Sequence, residues 1–333
     1  MSLLQVAQLK VEYASPIGTF KAVDGVSFEI ARGEMFGLAG ESGCGKSTTA
    51  FAICRLLQSP ARLAGGSVAF DGQELTSLSD AAFQPYRWSR MSVVLQSAMN
   101  NLNPVMRIGA QLTDVILSHE PRTSPKDALE RAKSLLEMVE LSAACIDRYP
   151  HELSGGMRQR VVIAMALALK PDLVIMDEPT TALDVLTQKA IVSRITELRR
   201  QMGFAVLFIT HDLPLMLEVC DRIGIMYAGQ MVETGSAEQL LRQARHPYTQ
   251  GLLRSFPSLR GPKLRIAGIP GSPPDLSVPQ SGCRFRSRCP HASEICAIAA
   301  PPELADERGM VACHLYREAV IGDEPHFAIA RRA

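Results

Sequence analysis

Residues Gly40 to Thr48 read GESGCGKST, a G-x-x-x-x-G-K-[ST] pattern that commits this stretch of chain to one local arrangement. Glycines let the backbone turn its N–H groups inward around an anion, and the helix that follows points its N-terminus at the same spot. The pattern needs a strand before it and a helix after it. Met35-Phe36-Gly37-Leu38-Ala39 is a short apolar run bounded by Gly33-Glu34 and Gly40, which suits a buried strand. Ser47-Thr48-Thr49-Ala50-Phe51-Ala52-Ile53 suits the helix. Gly40, Glu41, Ser42, Gly43, Cys44, Gly45, Lys46, Ser47 and Thr48 are thus read as a phosphate cradle. Lys46 is placed to reach β- and γ-phosphates and Ser47 to hold Mg²⁺. Cys44 reads as a small tolerated side chain.

A second apolar strand, Leu173-Val174-Ile175-Met176, runs into Asp177-Glu178-Pro179-Thr180. In phosphate-loop ATPases an acidic residue at such a strand end supports the Mg²⁺ shell, and the next one can polarise the attacking water. Asp177 is therefore assigned to magnesium and Glu178 to general-base or water-positioning work. Leu153 to Gln159 read LSGGMRQ, in which Ser154 also fits a plain helix cap.

The rest of the pattern is that of an α/β protein with a largely parallel core sheet, because short apolar strands alternate with helical stretches. Residues 97–155 break the rhythm. There Ser124-Pro125 starts a helix with Leu129, Ala132, Leu135, Leu136 and Val139 at helical spacing, so an inserted helical subdomain is expected. Ile191, Ile195, Leu198 and Met202 form the packing stripe of another helix, followed by Gly203 and the strand Ala205 to Ile209. Arg222 to Met226, Ala228-Gly229 and Gln230 to Val232 suggest a hairpin closing this unit. The 333 residues are 47% hydrophobic with a net charge of +1, ample for real cores but without the basic footprint of a nucleic-acid binder. No apolar run reaches the roughly eighteen residues of a membrane span. Met1 to Val6 lacks the pattern of an export signal, so a cytoplasmic location is expected. No internal repeat of the unit is present.

Further residues stand in register with these: Gln96 after Val93-Val94-Leu95, the loop Thr181-Ala182-Leu183-Asp184, and His211 after Phe208-Ile209-Thr210. Together with the LSGG segment they make residues 3 to 250 resemble an ABC-transporter ATPase. The resemblance implies a RecA-like core with an inserted helical subdomain and an antiparallel β subdomain. It also implies head-to-tail dimers, in which ATP lies between one subunit's phosphate loop and the other's LSGG segment. Ser154, Gly155, Gly156 and Gln159 would then meet the nucleotide held by the partner, and Asp184 would communicate across the dimer. His211 matches the family's switch histidine, which contacts the γ-phosphate and helps to orient water. Gln96 would touch Mg²⁺ or water and relay occupancy to the membrane subunits. The stretch Ser97 to Pro104 after it departs from the more common Asp/Glu-Pro while keeping Leu-Asn-Pro. Adenine in this family stacks on an aromatic residue ahead of the phosphate loop. Tyr13 is the first candidate and Phe20 the second, and either ring could instead be simple packing.

Beyond about residue 245 the chain turns rich in Pro and Gly and carries four of its eight cysteines, Cys283, Cys289, Cys296 and Cys313. A reducing cytosol disfavours disulfides, so a metal centre is the better reading, and four thiolates can hold a [4Fe–4S] cluster or Zn²⁺. Zinc usually takes cysteine pairs two to four residues apart, and no such pair is present here. Free thiols are the third reading. His291 and His314 are spare ligand candidates, whereas Cys44, Cys54, Cys145 and Cys220 lack ligand spacing and read as small buried residues. His246-Pro247-Tyr248-Thr249, Gly282-Cys283-Arg284-Phe285 and Arg288-Cys289-Pro290 resemble the C-terminal extension of peptide-importer ATPases, a resemblance that points to the iron–sulfur cluster.

The resulting expectation is an ATPase domain over 1–245 and a cysteine-containing extension over 246–333. The resemblance implies an ATP-hydrolysing subunit at the cytoplasmic face of the membrane that powers import of di- or oligopeptides. Its partners would be a second ATPase subunit, commonly a paralogue, and two transmembrane permease subunits. An extracytoplasmic substrate-binding protein would take part indirectly. Oligosaccharides, nickel or glutathione are the alternative cargoes. A soluble ABC ATPase of DNA repair or ribosome work would carry a coiled-coil insertion or two ATPase halves in one chain, and neither is present.

Overall fold

The structure is a computed structural model and describes residues 2–15, 18–96, 101–181, 183–255, 268–278 and 280–317. Met1, Ser97 to Asn100 and Ala182, named above, lie outside the described residues. Two long antiparallel strands come first, Ser2–Ser15 (β1) and Gly18–Ala31 (β2). Met35–Ala39 (β3), buried at all five positions, runs into the phosphate loop and the helix Lys46–Ile53 (α1). Ala61–Phe70 (β4) and Gln73–Glu74 (β5) complete a four-stranded antiparallel sheet in the order β2-β1-β4-β5. The short helix Asp80–Phe83 (α2) leads to Met91–Val94 (β6).

A helical layer follows: Ile108–His119 (α3), Pro125–Met138 (α4) and Gly155–Leu167 (α5). Ser124 caps α4 by accepting the Asp127 N–H at 3.1 Å, and Pro125 takes the first helical position, where its missing N–H costs nothing. Ala128, Ala132, Leu135, Leu136 and Val139 form the buried face, whereas Leu129, expected there, is 38% exposed. Four of the five expected positions hold, and Ala128 takes the place of Leu129 on the buried face. Trp88, ahead of β6, donates its indole N–H to the Met165 carbonyl of α5 at 3.2 Å, joining this layer to the sheet.

The chain then alternates regularly: Leu173–Asp177 (β7), Val185–Met202 (α6), Ala205–Ile209 (β8), Leu213–Val219 (α7), Arg222–Tyr227 (β9) and Gln230–Ser236 (β10). Ala237–Gln243 (α8), Pro247–Arg254 (α9), Glu294–Ile298 (α10), Glu303–Asp306 (β11) and Gly309–Ala312 (β12) finish it. The core sheet has the order β11-β12-β10-β9-β3-β8-β7-β6, with β9, β3, β8, β7 and β6 mutually parallel. Successive side chains of a strand point to opposite faces, and the two cores follow that alternation. Val174, Met176, Val206 and Phe208 enter the core under the helices, while Leu173, Ile175, Leu207 and Ile209 enter the one shared with β1, β2 and α1.

The β9–β10 hairpin does not end the sheet. Its outer edge would leave a row of N–H and C=O groups unpaired, and β12 of the extension covers it with Glu233 opposite Val311 and Thr234 opposite Met310. Gly309 makes that approach possible, since a Cβ there would lie 2.0 Å from the Thr234 oxygen.

The buried Glu233 also anchors α9. Its carboxylate accepts the backbone N–H of Arg245 at 2.7 Å and of His246 at 3.0 Å. His246 in turn caps α9 through Nδ1, which accepts the Tyr248 N–H at 3.0 Å. Complete burial pushes the His246 imidazole down from 6.5 to about 3. The unfolded chain therefore binds a proton that the folded one refuses, and stability falls as pH drops below about 6.5, by about 1.4 kcal/mol per pH unit. His246→Asn keeps a capping oxygen without a titrating ring, so denaturant unfolding between pH 7 and 5.5 should show a flatter pH slope than wild type.

Candidate functional site

Parallel strands deliver their carboxyl ends to one edge, and here that edge gathers four loops. Leu38 of β3 and Asp177 of β7 both stand opposite Ile209 of β8, and Val94 of β6 stands opposite Met176. The phosphate loop leaves β3 at Gly40, whose φ of +147° and close approach to the Met226 oxygen, 2.2 Å from a hypothetical Cβ, admit only glycine. Lys46 bends back over the loop, donating to the carbonyls of Gly40 at 2.7 Å and Glu41 at 3.0 Å. Cys44 is buried, and that burial pushes its thiol up although Lys46 opposes the shift, so it stays an uncharged filler of the loop.

Ser47 Oγ donates to Asp177 Oδ1 at 3.0 Å. Burial pushes the Asp177 carboxyl up, with the Ser47 hydrogen bond opposing and the Glu178 charge adding to the shift. Glu178 sits at φ +48°, a left-handed conformation that costs a non-glycine residue about 1–3 kcal/mol. Its carboxylate collects three partners. Gln96 Nε2 donates to Oε2 at 3.0 Å, Thr181 Oγ1 donates to the same oxygen at 2.9 Å, and His211 Nδ1 lies 3.4 Å from Oε1. His211 itself is 64% exposed. The structure thus brings Lys46, Ser47, Gln96, Asp177, Glu178 and His211 to one place. Thr181 was given no role by sequence reasoning, and its only signal was a hydroxyl three residues after Glu178.

Beside the loop lies a cleft of about 350 Å³ lined by Phe20, Glu41 to Cys44, Tyr227, Ala228 and Pro273 to Ser277. Tyr13 and Phe20 stack parallel with centroids 5.4 Å apart. Phe20 is the ring that lines the cleft, whereas Tyr13 packs against the hydrophobic core. The two expected candidates thus differ in placement, Phe20 at the cleft wall and Tyr13 beside it in the same stacked pair.

The LSGG segment lies apart from this cleft. Ser154 caps α5 by accepting the Met157 N–H at 3.3 Å, so the helix N-terminus is formed and presented. Asp184 caps α6 through the Thr187 N–H at 3.0 Å and accepts the Thr187 hydroxyl at 2.7 Å, bonds that hold its carboxyl below the usual range. Gln159, expected to meet a partner's nucleotide, is corrected. It is 2% exposed, its amide Nε2 finds no acceptor among the described residues, and burial keeps it from any other chain.

Cys283, Cys289, Cys296 and Cys313 line one cavity of about 300 Å³ with His246, His291 and His314. All four are free thiols, and Cys283 N–H donates to the Cys296 carbonyl at 2.8 Å. Burial pushes Cys313 up to about 12, with the other three thiols adding to the shift. His314 donates Nε2–H to the Ala299 carbonyl, and its buried Nδ1 has no partner among the described residues. No three His, Cys, Asp or Glu side chains among the described residues converge tightly enough to hold a single metal ion. Cys44, Cys54, Cys145 and Cys220 are buried, as expected.

The profile described as "ABC transporter" matches residues 23–181, and that of the "Oligopeptide/dipeptide transporter, C-terminal region" matches residues 232–296. The oligopeptide transport ATP-binding protein OppD of Salmonella typhimurium is 43% identical over 313 residues, 93% of either chain. This chain belongs to the ABC transporter ATPase family. A second relative of this ABC ATPase, the dipeptide transport ATP-binding protein DppD of Caldanaerobacter subterraneus, is 38% identical over 95% of this chain and 98% of its own. Among solved structures, the ATP-binding cassette MJ0796, a dimer in a post-hydrolysis state with ADP and Pi, superposes with a TM-score of 0.63 at 28% identity, covering 70% of this chain and 98% of that one. CbiO1 of Clostridium perfringens, part of an ABC transporter complex, gives 0.64 at 25% identity, covering 73% and 91%. No helix among the described residues of the ABC ATPase is long and apolar enough to cross a membrane.

One close contact ties the LSGG turn to α6. A Cβ on Gly156 would lie 2.6 Å from Thr187 Cγ2, a methyl that cannot swing away while its hydroxyl is held by Asp184. Gly156→Ala should cost about 1–2 kcal/mol in denaturant unfolding. Adding Thr187→Ser, which removes only that methyl, should restore most of the loss.

Proposed function

We propose that this ABC ATPase is the subunit that hydrolyses ATP to power import of di- or oligopeptides across the cytoplasmic membrane. The observation that carries the reading is Glu178, held by Gln96, Thr181 and His211 beside the Ser47–Asp177 pair, on a chain whose C-terminal region matches the oligopeptide/dipeptide transporter profile. Residues 1–245 form the ATPase domain, with the helical subdomain over about 97–155, and residues 246–333 the extension.

The Ser47 hydroxyl and Asp177 carboxylate are hard oxygen donors within one hydrogen bond of each other, a set that suits Mg²⁺. Ser47 and Asp177 would hold such an ion, which would supply charge neutralisation for the phosphates. Lys46 exchanges its two carbonyl partners for phosphate oxygens, and Phe20 offers a face to the adenine. Glu178 accepts a hydrogen bond from the attacking water and draws off its proton, while the exposed His211 turns toward the γ-phosphate. Gln96 holds the same carboxylate, so the base depends on the loop that leads into the helical layer, where the permease subunits dock.

The turn Ser154-Gly155-Gly156 does not line its own chain's cleft, which supports its use on a partner's nucleotide. The N–H groups at the start of α5 attract a γ-phosphate there. The working unit on this reading is two ATPase subunits, commonly paralogues in this family, on two transmembrane permease subunits, at the cytoplasmic face and served by an extracytoplasmic substrate-binding protein.

The four cysteines of the extension are assigned to a [4Fe–4S] cluster. What supports the reading is that the four thiols line one cavity, together with a spacing that lacks the close cysteine pairs usual for Zn²⁺. Such a cluster would add a covalent crosslink between the Cys283–Cys289 loop, α10 and the end of β12.

Glu178→Gln should slow phosphate release at least about 100-fold and leave an ATP-bound dimer visible by size-exclusion chromatography. Normal turnover would remove the base assignment. Pull-down of the chain from anaerobically solubilised membranes, with mass spectrometry and metal analysis on one sample, should return two multi-span proteins, a second ATPase and about four iron per chain. A homodimer without membrane proteins would overturn the transport reading, and folded, iron-free protein the cluster.

A further inference from the structure

Glu41 is the second residue of the phosphate loop, and residues of the extension hold it from two sides. Its backbone N–H donates to Tyr248 Oη at 2.9 Å, and its carboxylate is gripped by Arg288, Nη1 to Oε2 at 2.7 Å and Nη2 to Oε1 at 2.9 Å. Arg288 is no loose surface partner, since its side chain is 4% exposed. Its remaining three N–H groups also find acceptors: Nε donates to Pro270 O at 2.9 Å, Nη1 to Tyr227 Oη at 3.4 Å and Nη2 to Ile269 O at 3.3 Å. The guanidinium further lies over the rings of Tyr227 and Phe285. A planar fork with all five donors used fixes the carboxylate in direction as well as in charge.

The placement poses an electrostatic problem. Glu41 puts a negative charge on the rim of the cleft that, on the ATPase reading, receives a triphosphate, and like charges repel strongly where water is scarce. Arg288 lies in the loop between Cys283 and Cys289, whose first residue is tied to Cys296 and whose Arg284 pairs with Asp24. The cysteine-bearing loop therefore docks a cation onto the phosphate loop from 247 positions away.

We propose that Arg288 is a positioning residue of the nucleotide site, neutralising and orienting Glu41 so that the phosphate loop accepts ATP, and that the extension acts on the ATPase through this pair. The proposal rests on the ATPase reading. It concerns ground-state charge, so it affects ATP affinity rather than the chemical step.

The test uses the full chain and a fluorescent ATP analogue with Mg²⁺. Arg288→Gln leaves the Glu41 carboxylate uncompensated and should weaken binding about tenfold, within the usual span of couplings between sites. KM for ATP should rise in step while kcat at saturation changes less than about twofold. The double variant Glu41→Gln, Arg288→Gln removes the stranded charge and should bind within about threefold of wild type. Damage to packing alone would not be repaired by a second substitution, so a double variant as weak as Arg288→Gln overturns the proposal. So does an Arg288→Gln protein with wild-type affinity. If Arg288→Gln does not fold, Arg288→Lys, which keeps the charge without the fork, should give an intermediate loss, and wild-type affinity for it would equally count against the proposal. Wild-type chain that binds no analogue would instead remove the ATPase reading.

Discussion

Parallel pairing of β6, β7, β8 and β3 is the constraint on which the site depends. Only parallel neighbours end together at one edge, and residues that lie far apart along the chain act together because their strands stop in register. A slip of one residue between β7 and β8 would turn Asp177 to the opposite face and break its bond to Ser47. The all-buried strands make such a slip costly, since it would also exchange the side chains of the two cores. The chemistry is thus held by hydrophobic packing well below it.

Against that rigid edge, Glu178 is the adjustable part. Its backbone is left-handed, and its carboxylate is held by Thr181 of its own turn and by two other segments, through Gln96 after β6 and His211 after β8. A carboxylate whose orientation is shared in this way answers to changes at the end of β6, at the end of β8 and in its own turn.

The phosphate loop, the Asp177-Glu178 pair, Gln96 and His211 were legible because each is a short local pattern at a strand end. What was not legible depended on distance or on facing. Tyr13 and Phe20 are cross-strand partners in one hairpin, and nothing in their spacing tells which of two stacked rings turns to the cleft. Leu129 fits a helical period as well as Ala128 does, and the sequence alone does not choose between them. Gln159 looks like a surface polar residue within its motif, yet α5 carries it inward. The four-residue strand β12 has little pattern of its own and is defined by the open edge of β10. The bond from Arg288 to Glu41 spans most of the chain and leaves no local trace.

Trp88 is the one tryptophan in the chain, and its indole bonds to α5, the helix whose other end carries the LSGG turn. Any rotation of the helical layer against β6 must stretch or break that bond and change the water around a half-buried ring. The protein therefore carries a built-in optical reporter, and the emission of the unlabelled chain can follow domain movement during a turnover cycle in real time.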